Sequence, residues 1–210
     1  MVSGRTEIFS VLDIKPSRRY LLIMNESYKK KKQPEVVRAH LMDAAAKAAV
    51  ERGLGSLTLD LVAQKAGVSK GGLLHHYPSR RALIEGLFHT LMSESQSRME
   101  KFIQEDADTH GRFTRAYIKV FLSQNSSFEN RLHGAFALAM SNDIKLAELW
   151  FGWLREQLEK HGEDTSSVTG RMIRYAVDGI WLEDCTGGTL MSPTERRNVV
   201  GQLINLTFTL

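Results

Sequence analysis

The stretch that most limits the possible fold runs from Thr58 to Arg81, TLDLVAQKAGVSKGGLLHHYPSRR. Leu59, Val62, Ala63 and Ala66 recur at helical spacing, so a short helix with one apolar face is predicted. Gly67 follows it, and a chain leaving a helix commonly needs the positive φ that glycine accepts. Val68 is expected to fill the space under the turn, and Ser69 is a good N-cap for a second helix. That second helix is predicted from Lys70 to about His76, with Leu73 pointing to the core. Lys70, Gly72, His75, His76 and Tyr77 remain outside. Gly71 and Gly72 each cost a helix about 1 kcal/mol relative to alanine, which makes sense if the backbone must approach another surface closely. Pro78 ends the helix and Ser79 can cap the next. Two short helices around a tight turn are the helix-turn-helix pattern, whose second helix enters the major groove of DNA.

Charge is distributed as such a unit requires. Residues 1–90 hold 15 Lys/Arg against 8 Asp/Glu, whereas residues 91–210 hold 13 against 16. A basic front on an acidic body suits a protein that meets nucleic acid with one end. The single cysteine, Cys185, excludes a disulfide within the chain and fits a reducing cytoplasm. It stands among acids in WLEDCTGG and reads as a structural thiol. The apolar run Tyr20–Met24 is too short to span a bilayer, which takes about 20 residues, and no cleavage signal follows it. No export and no membrane segment are expected.

Residues 1–33 are predicted to be a disordered leader. Met24 opens MNESYKKKKQPE in the manner of a natural start, so residues 1–23 are expected to be an upstream extension of the reading frame. The run Lys29–Lys32 reads either as a basic arm lying along phosphates or as a solvated leader. Val37, Leu41, Ala44, Ala45 and Ala48 mark a first helix from about Glu35 to Arg52, ended by Gly53. Helix is expected to restart at Ser56-Leu57-Thr58, with Thr58 as cap. From Ser79 a long helix carries Leu83, Ile84, Leu87, Phe88, Leu91 and Met92 to about Gln104. The body then reads as helices over Phe113–Ser123, Arg131–Met140 and about Asp143–His161. Another starts at Asp164 or Thr165, and a last one runs from Thr194 to Leu210, with NSSFEN (125–130) as a loop. The predicted fold is all-α with about nine helices: a helix-turn-helix head over residues 34–80 and a helical body over residues 81–210.

The block from about Val37 to Phe88 resembles the N-terminal domain of TetR-type transcriptional regulators. The long first helix, Gly53, Thr58 and AGVSKGGLLHHYPSRRALIEGL carry the resemblance; the family reads close to AGVSKGTLYHYFPSKEALL. The resemblance implies that Thr58 contacts a backbone phosphate and that Lys70, Gly71 and Gly72 approach base edges. It implies that His75 and His76 touch phosphate or bases, and that Arg80 meets phosphate. Ser69 and Tyr77 complete the candidate DNA-binding set. Leu74 departs from the pattern: the family often places a tyrosine there, and a leucine cannot supply its hydroxyl contact.

The body carries no constellation for catalysis: no Gly-rich phosphate loop, no nucleophile with a base nearby and no metal-ligand spacing. The adjacent His75 and His76 do not share a helix face. No enzyme activity, cofactor or metal is expected. Aromatic residues at helical spacing read as core. The resemblance adds that such a body encloses an effector cavity, with Phe113, Tyr117, Phe136, Met140, Trp150, Trp153 and Trp181 as candidate lining residues. His133, Arg174 and Asp178 are the polar groups beside them. Gly170, Ala176, Gly179 and Gly201 permit close packing of the last two helices, which in the family form a four-helix bundle across a homodimer axis. The expectation is a cytoplasmic homodimeric repressor that leaves a palindromic operator on double-stranded DNA when a small apolar or amphipathic effector binds. The alternative is a DNA-binding regulator controlled by a protein partner or by abundance.

Overall fold

The computed structural model describes residues 34–123, 127–188 and 190–210. The leader, its lysine run and the first part of the 125–130 segment lie outside the described residues. Nine α-helices and no strand occur among the described residues. Contacts join Ala39–Leu210 into one compact unit.

Helix α1, Pro34–Arg52, buries Leu41, Met42, Ala44, Ala45, Ala46, Ala48 and Ala49. It stops at Gly53, whose φ of 77° only glycine adopts readily, and whose N–H bonds Ala49 O. Helix does not restart at Ser56. A 3₁₀ turn, Leu54–Ser56, comes first, and Leu57 is extended. Leu54 and Leu57 both drop into the core. Thr58 then caps α2, Leu59–Ala66, its hydroxyl accepting from Leu61 N at 3.2 Å. Gly67 makes the turn with φ 65°, and Val68 is half-buried beneath it. Helix α3 spans Lys70–His76 with Leu73 fully buried. Ser79 caps α4, Arg80–Glu105.

The body is organised around α5, Arg112–Phe121. Phe113, Thr114, Arg115, Ala116, Tyr117, Ile118, Val120 and Phe121 are all buried in it, so it is enclosed on every side. It packs against α4 and against α8, Val168–Thr186. Helix α6, Ser127–Met140, begins earlier than the sequence suggests, so Phe128, Glu129 and Asn130 are helical rather than loop. Glu129 in the first turn complements the positive end of the helix dipole. Asp143 caps α7, Ile144–Lys160, accepting from Leu146 N at 3.2 Å. Helix α8 begins at Val168, later than expected. Asp164 is spent on a turn with Ser166 N and Oγ, and Ser167 takes the cap by accepting from Gly170 N. Helix α9, Pro193–Leu206, opens with a full capping box between Ser192 and Glu195 and gives way to a 3₁₀ turn, Thr207–Thr209.

Two polar ties fix the body, one to the start of α4 and one to the head. Arg81 donates to Asp143 Oδ2 at 2.7 Å, and Arg131 Nη2 donates to Val50 O at 2.9 Å. The 3₁₀ turn also packs on α6. The four small residues of the last two helices have different uses. Gly170 is buried, and a Cβ there would lie 3.1 Å from Arg174 Nη1, so this glycine serves its own chain. At Gly179 and Gly201 an added Cβ would meet nothing within 4 Å.

Candidate functional sites

The outer face of α3 follows from its burial. Leu73 is the buried side, and Lys70, Gly71, Leu74 and His75 project opposite it, all exposed. Gly72 and His76 flank this face and are half-buried. Leu74, set aside in the sequence as a lost hydroxyl, stands at the middle of the face. The i, i+1, i+4, i+5 spacing from Lys70 was the signal for it. An exposed leucine there can meet a thymine methyl, which is how apolar side chains read bases.

The caps keep donor capacity. Thr58 and Ser69 use a hydroxyl lone pair to accept from Leu61 N and Gly72 N, at 3.2 and 3.1 Å, which leaves each O–H proton for another acceptor. Lys70 Nζ lies 3.0 Å from Asp60 Oδ2. Both side chains are well exposed, so the pair contributes little and a phosphate can displace it. An added Cβ at Gly71 would stand in open space, and one at Gly72 would lie 3.3 Å from the Ser69 cap oxygen. No contact within the chain requires the glycine at 71. His75 and His76 meet edge to face, their ring centroids 5.4 Å apart. Among the described residues no three His, Cys, Asp or Glu side chains are placed to hold a metal ion.

Two members of the expected DNA-binding set point elsewhere. Tyr77 is 3% exposed. Its ring lies on α4 at Gly86, where a Cβ would fall 2.5 Å from Tyr77 Cε1. The extended step before Pro78 turns this ring inward, so it belongs to the core of the head. Arg80 faces back onto the 3₁₀ turn. Its Nε donates to Leu57 O at 2.6 Å, and its Nη2 to Leu54 O and Gly55 O at 2.7 and 3.1 Å. It therefore clamps the turn that carries Leu54 and Leu57. Arg80→Ala is expected to lower stability by about 2 kcal/mol while leaving the salt dependence of DNA binding unchanged. A phosphate contact would instead reduce the salt slope by about one. Salt titrations of the variant separate the two.

The seven aromatic-rich body positions do not form one wall. Phe136 has Phe88 as its ring partner, with centroids 5.8 Å apart, and Phe113 stacks on His161 at 5.3 Å. Tyr117 leans on Phe121, and Phe121 meets Trp150 and Trp181 edge-on. Trp153 packs against Trp150, and both Trp153 and Met140 are half-buried. The polar groups sit among these rings. Trp181 Nε1 donates to His133 Nδ1 at 3.3 Å. Burial lowers the His133 pKa to about 4; Arg98 adds to this and Glu129 opposes it. His133 is thus neutral at pH 7 with its proton on Nε2. Among the described residues that Nε2 and Trp153 Nε1 are buried without a hydrogen-bond partner. Tyr117 O–H donates to Asp178 Oδ1 at 2.5 Å. Burial raises the Asp178 carboxyl, against the Tyr117 hydrogen bond and Arg174, which lower it. Cys185 is pushed up to about 12 by burial and by Asp184, so it is no thiolate at neutral pH.

Two clefts open among the described residues, one on the body and one between head and body. One, of about 500 Å³, is lined by residues of the 109–112, 161–164 and 167–174 segments and by Leu210. The other, of about 390 Å³, lies between the 3₁₀ turn, Arg80, Ile84 and the residues joining α6 to α7. None of the seven expected lining residues borders either cleft, and Arg174 borders the first.

Known proteins match both halves of the chain. Residues 41–87 match the tetR family of bacterial regulatory proteins, and residues 111–208 match the tetracyclin repressor-like C-terminal domain. The nucleoid occlusion factor SlmA of Vibrio vulnificus (strain YJ016) is 27% identical over 124 residues, 57% of this chain; the match spans 60% of that protein's length. The transcriptional repressor KstR2 of Rhodococcus jostii (strain RHA1) is 22% identical over 162 residues, covering 69% of this chain and 76% of its own. The regulator BetI of Pseudomonas aeruginosa (strain LESB58) is 24% identical over 181 residues, 77% of this chain and 88% of its own. Among solved structures, a transcriptional regulator from Streptomyces coelicolor A3(2) superposes with a TM-score of 0.64 at 20% identity, covering 81% and 98% of the two chains. The multidrug binding protein EbrR, complexed with malachite green, gives 0.60 at 17% identity, covering 81% and 97%. These structures share the fold. The chain belongs to the TetR family of DNA-binding transcriptional regulators.

Proposed function

We propose that this regulator is a cytoplasmic homodimeric repressor of a palindromic operator, released when a small apolar or amphipathic effector enters the body. The head, residues 34–80, reads DNA through Lys70, Gly71, Leu74 and His75, with Gly72 and His76 at the edge and Thr58 and Ser69 donating to phosphate. The body, residues 81–210, pairs the two copies and takes the effector.

The observation that carries this reading is an unpartnered apolar stripe. Val168, Met172, Tyr175 and Leu182 lie along one side of α8 and are 43–72% exposed. Their spacing of four, three and seven residues keeps them on one face, and Gly179 falls in line with open space above it. Val199 and Leu206 of α9 are also exposed. A stripe of this kind is normally covered, and a second copy covers it symmetrically. A dimer sets two recognition helices about one helical turn of DNA apart, roughly 34–36 Å. It also supplies the avidity that a lone head lacks.

The effector reading rests on the unmet donors His133 Nε2 and Trp153 Nε1 within the aromatic cluster, since buried polar groups ordinarily have partners. The Arg131–Val50 tie gives the body a hold on the head, and the Arg81–Asp143 tie holds the start of α4, which follows the head directly. Differential binding to two head spacings is commonly worth about 1–3 kcal/mol, enough to release an operator. EbrR, which shares the fold, binds malachite green.

Footprinting on DNA upstream of the regulator's own gene is expected to protect a palindrome, and scrambled DNA should bind far more weakly. Equal affinity for both sequences overturns the proposal. Gly179→Glu is expected to yield folded monomers in sedimentation, with operator affinity reduced about 100-fold. A dimer that survives this change would place the interface elsewhere.

A further inference from the structure

The 500 Å³ cleft lies where α5 and α8 both begin, and its hydrogen-bonding groups do not balance. Arg174 lines it and is only 6% exposed. Among the described residues its guanidinium makes no hydrogen bond or ion pair. Asp178, one turn further along α8, is already held by the Tyr117 hydroxyl. Gly170 keeps the space that Arg174 Nη1 occupies. Arg112 also lines the cleft, and its Nε is buried without a partner. The His161 ring is stacked on Phe113, and its Nε2 has no hydrogen bond. The nearest acid to that nitrogen, Glu100 at 3.9 Å, already holds Lys160.

The two acids of the cleft are each held by hydrogen bonds within the chain. Glu163 accepts from the backbone N–H of Thr114 at 3.0 Å and from its hydroxyl. Asp164 accepts from Ser166 N and Oγ at 2.8 and 2.7 Å. The unmet groups are a ring nitrogen of His161 and two guanidinium groups, which can only donate. Arg174 acts on Asp178 through its charge but has no hydrogen-bonded acceptor among the described residues, which is costly for a buried guanidinium, and its forked geometry matches the two oxygens of a carboxylate or phosphate.

We propose that this cleft is a binding site for a small organic oxyanion, a carboxylate or a phosphate ester, anchored by Arg174 and closed on one side by Arg112. The site is distinct from the aromatic cluster of the effector reading and lies on the side of α8 opposite the exposed stripe. It stands on its own geometry, whatever fills the aromatic cluster.

The test is calorimetric titration of the full chain at constant ionic strength with inorganic phosphate, glycerol 1-phosphate, benzoate and, as control, chloride. At least one oxyanion is expected to bind saturably and chloride not at all. Binding by the first two probes marks the site as one for phosphate, and binding by benzoate as one for carboxylate. Arg174→Gln and Arg112→Gln are each expected to weaken binding about tenfold or more. Arg112 is only half-buried, so its variant keeps the test open if Arg174→Gln folds poorly. Unchanged affinity in Arg112→Gln, chloride binding as well as the oxyanions, or no saturable binding of any probe at millimolar concentration overturns the site. Operator binding by the same samples is a separate reading, so loss of the anion site and failure of the repressor proposal are distinguishable.

Discussion

Gly71→Glu is expected to abolish operator binding and leave the fold intact. Gly71 is exposed, and a Cβ there meets nothing within 4 Å, so the chain accommodates any side chain. Glutamate is a far better helix former than glycine, by nearly 1 kcal/mol, and its charge suits the first turn of α3. Thermal stability should therefore hold or rise slightly. At the DNA surface the same change has two opposing effects. It thickens a face whose backbone has to come close to base edges, and it sets a carboxylate against phosphates. Because phosphate contacts dominate affinity, the loss should reach about 100-fold or more. Gly72 is a less clean position, since its Cβ would press on the Ser69 cap oxygen and confuse stability with binding. Gel-shift titration with circular dichroism on the same sample decides the matter. Full affinity in folded Gly71→Glu would remove α3 from the DNA interface.

Arg115→Ala is expected to cost about 3 kcal/mol of stability, because it removes a partly buried ion pair and two further hydrogen bonds made by one buried guanidinium. Its side chain is 3% exposed and pairs with Asp106 at 2.7 Å. The same guanidinium donates to Thr207 Oγ1 at 3.1 Å and to Asp108 O at 2.7 Å, and it lies over the Phe208 ring at 4.4 Å. One side chain thus joins the α4–α5 connection, α5 and the C-terminal turn. Its loss leaves Asp106 without its cation and the turn without its anchor. A chain of this size should melt roughly 10 °C lower, at about 2–4 °C per kcal/mol. A fall of less than about 1 kcal/mol in chemical denaturation would show that these contacts contribute no net stability.

These two residues differ in how they could be recognised. Gly71 stands out in the sequence because glycine at the start of a helix is locally unfavourable, and only something outside the helix makes sense of it. Arg115 does not stand out. It lies in a helix whose apolar positions were legible, but its partners include Thr207, 92 residues away. Arg80 shows the same limit, since its carbonyl partners precede it by 23–26 residues. A basic residue at the start of a helix behind a helix-turn-helix resembles a phosphate contact until its partners are known. Tyr77 departs from its expectation for a related reason: its chemistry suits DNA, yet the extended step before Pro78 turns it under α4.

What the sequence determined by itself was local. The limits of α3, the caps at Thr58, Ser69 and Ser79, the turn at Gly67 and the length of α4 all follow from interactions within a few residues, and all are present. The helix-turn-helix and the family follow from them. The tertiary structure alone decided which helix is enclosed, which side of α8 is left bare and which body residues border open space. It also moved the starts of α6 and α8, where an acidic first turn and an Asp164 turn compete with the bare apolar pattern. Those outcomes depend on contacts between segments distant in the chain, and no local preference encodes them. The Arg174 cleft belongs to this second class: Arg112, His161 and Arg174 are separated by 62 residues and become one donor-rich surface only when α5 and α8 begin side by side.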